Sequence, residues 1–298
     1  PAAPCCPHNR GMNSGKNVRG ILGMLLAAAL FSLMDTGLKL LSPHYPPMEV
    51  AALRAMSSLP LVLVFVAWRR GFGTLLRVRW PLHLLRGALG IVMLSLFSFA
   101  LRQLPLAEAY SIFFIAPLLI TLLSGPMLGE RVGAARWIAI LVGLCGVIVV
   151  LRPTGTGMFT LAGGAVLLAA ACYSVSAITV RIVNRTDSLE SQVFWLMLIV
   201  AAGAGALAAP HWQPVRAEHG WILCGIAVTG FLGQLSITQA FRHGEASAIA
   251  PFEYSALAWG LIIDWFLFHT LPDRWMLCGA AIIVASGIYL VRHEAVHA

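Results

Sequence analysis

The chain has 298 residues, 59% of them hydrophobic and 11% charged, with a formal net charge of +8 and a mean hydropathy of +0.84. A water-soluble domain carries about 25% charged residues, so this composition excludes a soluble enzyme and leaves no basic soluble face for nucleic acid. What remains is a chain built from membrane-embedded helices.

Residues 1–17 form a Pro-rich leader with Cys5 and Cys6, expected to be disordered. It is not read as a signal peptide, because the first apolar run is too long. Ten apolar runs follow, at 20–41, 50–68, 82–101, 105–127, 137–151, 161–180, 191–208, 220–241, 246–268 and 276–291. A helix crossing the hydrocarbon core needs about 20 residues. Each run therefore predicts one span, the fifth and tenth borrowing flanks such as Arg136, Trp137, Trp275 and Arg292. Prolines punctuate the junctions, among them Pro43, Pro81, Pro105, Pro153, Pro210 and Pro272, as turn residues do. Trp68, Trp80, Trp137, Trp212, Trp221, Trp275 and Tyr289 fall at run ends, where an aromatic belt sits. A tail, 293–298, closes the chain. Cys145, Cys172, Cys224 and Cys278 lie within runs and read as small packing residues, not as a disulfide framework.

Basic residues sort by loop parity. Arg102, Arg152, Arg216 and Arg274 fall on one side and Lys39 and Arg54 within helices, leaving fourteen of the twenty, Arg86 among them, on the side of the N-terminus. The positive-inside rule then places both termini in the cytoplasm.

The halves repeat. Ala100, Arg102, Ala116 and Arg152 each find the same residue type 140 positions later, at Ala240, Arg242, Ala256 and Arg292. An odd-numbered repeat of five spans enters the membrane in the opposite sense the second time, so a direct repeat in sequence becomes an inverted one in space. Secondary transporters are built this way, with the substrate near the midplane. The expected fold is an all-α membrane protein of ten transmembrane helices in two inverted five-helix repeats, 18–152 and 153–292, with cytoplasmic N- and C-termini.

Pro105-Leu106-Ala107-Glu108-Ala109, Ala116-Pro117-Leu118, Leu128-Gly129-Glu130-Arg131, Gly143 and Gly146 together resemble the first repeat of an EamA-type transporter. Its partner is matched by Arg242-His243-Gly244-Glu245-Ala246-Ser247, Ala250-Pro251-Phe252-Glu253-Tyr254, Gly279 and Gly287, and Lys39 and Arg54 fit as well. The second copy has Phe268-His269-Thr270 in place of the Gly129-Glu130 pair. The resemblance runs over residues 20–292. It implies the drug/metabolite transporter superfamily and, within it, bacterial inner-membrane exporters of amino acids, the aromatic type included. A small-molecule substrate and the lipid bilayer are the implied partners, with no nucleic acid, no cofactor, no metal and a monomeric state.

Ionisable residues inside a membrane are costly and mark function. The set is Asp35, Lys39, Arg54, Glu108, Glu253 and Asp264. Asp35 and Lys39, four apart, share a helical face. With Arg54 and Glu108 they lie in the outer halves of their helices and read as a gate, an anchor for a zwitterion, or structural ion pairs. Glu253, toward the inner side, and Asp264, toward the outer, are candidates for a substrate amine, a proton, or structural pairing. Ser32, Ser95, Ser98, Tyr110, Tyr173, Ser174, Ser176, Gln234, Ser236, Gln239, Tyr254 and Trp259 are the polar and aromatic candidates for a pocket. The same residues also serve interhelical hydrogen bonds. Pro117 and Pro251 each remove a backbone donor and are expected to kink their helices and free carbonyls.

His293-Glu294-Ala295-Val296-His297 spells H-E-x-x-H, the zinc-peptidase signature. In a terminal tail, with no third ligand following, it reads as coincidence. Few charges and many aromatics suit neutral or aromatic amino acids in the export direction. A nucleoside-like metabolite or organic cation, or a non-transporting membrane subunit, is the alternative.

Overall fold

The computed structural model describes residues 10–41, 43–69, 72–76, 78–101, 103, 110, 112–151, 160–268 and 274–296. Glu108 lies outside them, and the side chains of Lys39, Ser98 and Asp264 are likewise outside what is described. The described residues form helices and no strands. The long helices are α1 (Arg10–Leu41), α2 (Pro47–Trp68), α3 (Trp80–Leu101), α4 (Ala116–Leu128), α5 (Ala134–Leu151), α6 (Leu161–Val183), α7 (Leu189–Ala208), α8 (Gly220–His243), α9 (Ser255–Phe268) and α10 (Arg274–Val296). Helix α1 already begins within the segment read as a leader. Among the described residues seven helices are long and apolar enough to cross a membrane, and Ala116–Leu128 and Ala134–Val149 are shorter apolar helices. Large apolar residues such as Leu22, Val64 and Phe266 are exposed, as are Trp68 and Trp221 at helix ends. In water such a surface would be an aggregation patch; in a bilayer it is the lipid face.

Local signals set several helix ends. The Thr160 and Ser188 hydroxyls accept from Gly163 N–H at 3.1 Å and Ser191 N–H at 3.2 Å, capping α6 and α7 as N-cap hydroxyls do. Gly129, at φ 73°, ends α4 in the left-handed region, with its N–H on the Gly125 carbonyl and the Glu130 N–H on the Ser124 carbonyl. Glycine tolerates this conformation, and the Gly129-to-Gly125 bond is that of an αL cap.

The ninth apolar run, expected as one continuous helix, is broken. It opens with a short helix at Ala246–Ile249, passes through a 3₁₀ turn at Ala250–Tyr254 and only then becomes α9. Pro251 lacks the N–H that a through-going helix would use. In the fourth run, whose residues 105–109 and 111 lie outside the described ones, a regular helix starts at Ala116, with Pro117 in its first turn. Both prolines thus sit where a helical segment starts, rather than at a kink inside one.

The helices pair across the halves: α1 with α8, α2 with α7, α3 with α6 and α5 with α10. The pairs are antiparallel. A Cβ on Gly20 would meet Gly244 and one on Gly37 would meet Ile226. Arg69 reaches Glu190 at 3.1 Å while Glu49 accepts from Gln213 N–H at 3.0 Å. Gly143 abuts Ser286 and Gly146 abuts Gly279. Exchanging α1–α5 for α6–α10, one for one, maps α1–α8 onto α6–α3, α1–α9 onto α6–α4 and α2–α8 onto α7–α3, all of which are observed contacts. The α2–α7 and α5–α10 pairs map onto themselves. A helix that packs antiparallel to its own counterpart is related to it by a two-fold axis across the bundle.

One end of the bundle is laced together. The Glu130 carboxylate accepts from Ala246 N–H at 2.9 Å, Ser247 N–H at 3.0 Å and the Ser247 hydroxyl at 2.8 Å. Arg181 pairs with Glu130 at 3.4 Å and donates to the Phe241 and Gly244 carbonyls. Arg136 pairs with Glu245 and donates to Ser247, and Asn17 accepts from Glu245 N–H. At the other end, the Tyr45 hydroxyl meets His219 Nδ1 at 2.9 Å and accepts from Arg216 N–H.

Candidate functional site

Between the halves lies a cavity of about 320 Å³, walled by α1–α4 and α6–α9. Helices α5 and α10 pack on each other outside it. This is the size range of small-molecule pockets. Its wall is apolar and sulfur- and aromatic-rich (Met24, Phe31, Met34, Met93, Phe113, Phe114), with four charged side chains among the lining residues: Asp35, Arg54, Arg86 and Glu253.

The four charges lie at two levels. Asp35 is six residues from the end of α1 at Leu41, and Arg54 seven from the start of α2 at Pro47. At 1.5 Å per residue both are about 10 Å from that end of the bundle. They interact through charge, and the Arg54 guanidinium lies 5.6 Å from the Phe31 ring centroid, in cation–π range. Arg86 is six residues into α3 from Trp80, at the opposite, laced end. Glu253 is seven residues beyond Ala246, also toward that end, and accepts from the Tyr173 hydroxyl at 3.0 Å. Each level therefore carries one acid and one base.

Of the other residues singled out from sequence, Pro117, Tyr173, Ser176 and Gln234 line the cavity. Gln234 Nε2 donates to the Thr238 hydroxyl at 3.3 Å. Ser32 instead bonds the Ala28 and Ala256 carbonyls, tying α1 to α9. The buried Ser174 hydroxyl donates to the Ala116 carbonyl at 3.1 Å and to Ala170 at 2.7 Å, and Ser95 donates to Ile91 within α3. Tyr110 packs its ring 5.7 Å from Phe97 and 6.3 Å from Phe114. Tyr254 is fully buried against Gly143, and Pro251 is buried in its 3₁₀ turn. Gln239 and Ser236 are half-buried and Trp259 is exposed, and none of these three is among the residues lining the cavity.

Arg86 corrects the sequence reading. Counted with the basic residues of the cytoplasmic side, it is 2% exposed and faces the cavity. The signal was its place four residues inside the apolar run that starts at 82; its nearness to the run's start let loop parity claim it. Below it, His83 Nε2 meets Asp187 Oδ2 at 2.8 Å. That carboxylate also accepts from Arg79 N–H at 3.0 Å and the Thr186 hydroxyl at 2.6 Å. Burial raises the acid's pKa, but these bonds outweigh it and hold the carboxyl below its ordinary 3.8.

Comparison with known proteins supplies the rest. The chain is 28% identical over 281 residues to a riboflavin transporter of Vibrio cholerae, covering 93% of this chain and 94% of that one. It is 26% identical over 274 residues to a pseudopaline exporter of Pseudomonas aeruginosa (92% and 96% covered). It is 27% identical over 275 residues to an S-adenosylmethionine uptake transporter of Rickettsia conorii (92% and 93% covered). A solved crystal structure superposes with a TM-score of 0.80 at 20% identity, over 94% of this chain and 99% of that one, which shows a shared fold. Residues 18–152 and 161–292 each match the model of the EamA-like transporter family, and with an all-helical bundle closing on a charged central cavity the chain belongs to that family of small-metabolite transporters.

Proposed function

We propose that this chain carries small amphoteric metabolites, neutral and aromatic amino acids foremost, outward across the bacterial inner membrane. It does so as a monomer, without altering them chemically, by alternating access at the cavity. In this reading all ten helices cross the bilayer, residues 18–152 and 153–292 form inverted repeats, and both termini are cytoplasmic. The laced end, with Arg69, Arg136, Arg181 and Arg242, is then the cytoplasmic one, in keeping with the positive-inside rule.

One observation carries the substrate class: two acids and two bases set into an otherwise apolar, aromatic wall. A net-neutral cavity with separated charges suits a molecule that is itself neutral overall and carries both signs. The exchange-symmetric helix pairing supports the mechanism, because two related packings can alternate in opening to either side. The Glu253–Tyr173 pair and Asp35 are positioned to take an amine or a coupling proton. The relatives named for riboflavin and S-adenosylmethionine favour a second reading, uptake of a nucleoside-like metabolite.

Purified protein in liposomes, offered labelled phenylalanine, tryptophan, leucine, riboflavin and S-adenosylmethionine, separates the two. Saturable amino-acid flux is expected. Flux of riboflavin or S-adenosylmethionine alone selects the second reading, and no flux through folded, monodisperse protein rejects transport of this class.

A further inference from the structure

Among the described residues, the Arg86 side chain has no hydrogen bond and no ion pair to an acid. Its Nε and Nη1 are buried and find no acceptor among the described residues. The cavity wall nearest to it in sequence on α3 is Leu89, Gly90 and Met93, and α7 contributes the apolar Leu196, Met197 and Val200 to the same cavity. The acid one turn below is committed: Asp187 is held by His83, Arg79 N–H and Thr186. Glu253 is bonded to Tyr173, and Arg54 has Asp35 and the Phe31 ring. An unpaired buried guanidinium is among the most costly arrangements in a protein interior. A chain that keeps one against a ligand-sized cavity gains from it only when an anion arrives.

We infer that Arg86 is the anion-binding residue of the cavity, and that it takes the carboxylate of the transported substrate. The planar guanidinium offers parallel N–H donors that match the two oxygens of a carboxylate, a geometry that lysine lacks. Binding would supply the counter-charge the protein withholds. The site rests on the transport reading only for its physiological use; the binding itself is measurable without flux.

Arg86→Met keeps much of the volume and removes the charge. In detergent, without substrate, R86M is expected to melt at a higher temperature than the wild type, because an uncompensated buried charge is gone. A structural role would give the opposite sign. Ligand-induced melting shifts are then compared for phenylalanine against phenethylamine and tryptophan against tryptamine, each pair differing by the carboxylate. R86M is expected to lose roughly 10- to 100-fold in affinity for the amino acids, the scale of one charged hydrogen-bonding partner, and to keep its response to the amines. Arg86→Lys should recover part of the loss. A lower melting temperature in R86M, equal loss for acid and amine, no loss for either, or a wild type that responds to no carboxylate would each overturn the assignment. Arg86-dependent binding of amino acids without flux in liposomes would keep the site and reject the transport reading. Flux of riboflavin alone would reject the site and keep the carrier.

Discussion

Asp187 shows how one loop residue supports the cavity from outside it. Its carboxylate collects the His83 ring, the Arg79 N–H and the Thr186 hydroxyl, and so joins the entry to α3, which carries Arg86, to the end of α6, which carries Tyr173. Asp187→Ala leaves a buried ring nitrogen and a backbone N–H without their acceptor, at a cost of roughly 1.5–3 kcal/mol. A lower melting temperature in detergent checks this. The pH dependence has a definite sign. The folded-state pKa lies below the ordinary 3.8, so the contribution is complete above about pH 5 and is lost as pH falls through the folded value. The gap between the variant and the wild type should therefore be constant at neutral pH and narrow only in acid. At this scale Asp35, Arg54, Tyr173, Gln234 and Glu253 were legible in the sequence, because a polar residue deep in an apolar run stands out. Arg86 was hidden by its proximity to a run's start. The partners of Ser32 and Ser174 were hidden because a hydroxyl that bonds a neighbouring carbonyl has the same sequence context as one that faces a cavity.

The element scale turns on small residues at helix crossings. A Cβ on Gly146 would stand 2.9 Å from the Gly279 carbonyl oxygen and 2.8 Å from Ile283 Cγ1, so the obstruction includes backbone that cannot rotate away. Gly146→Val is expected to force α5 and α10 apart, lower the melting temperature and cut the yield of monodisperse protein. The same substitution at Gly164, where nothing lies within 4 Å, should leave both nearly unchanged. Size-exclusion profiles of the two variants side by side make the comparison. Apolar runs and junction prolines gave nearly every helix, because a span's length and hydrophobicity are composition-level properties. They did not give the broken start of α9. Pro251 marked the place, but a continuous helix with a kink and a fresh start after a 3₁₀ turn share one sequence signature.

The whole molecule is organised by the exchange of its halves. Helices α1–α4 and α6–α9 share the cavity, and α5 and α10 pack on each other outside it. Glu130, visible beforehand only as part of a motif, takes its meaning from partners fifty or more residues away. Seated by the left-handed Gly129 turn, it caps the Ala246–Ile249 helix and pairs with Arg181. In the proposed topology this lacing closes the cytoplasmic end, and the carrier must undo it once per cycle to load substrate for export. A channel has no such requirement. Counterflow is therefore the most direct test: liposomes bearing the purified protein are preloaded with unlabelled substrate, and entry of labelled substrate is followed. Alternating access predicts saturable entry, accelerated several-fold by the unlabelled pool and transiently exceeding equilibrium. Entry that rises linearly with concentration and ignores the preloaded pool would contradict it.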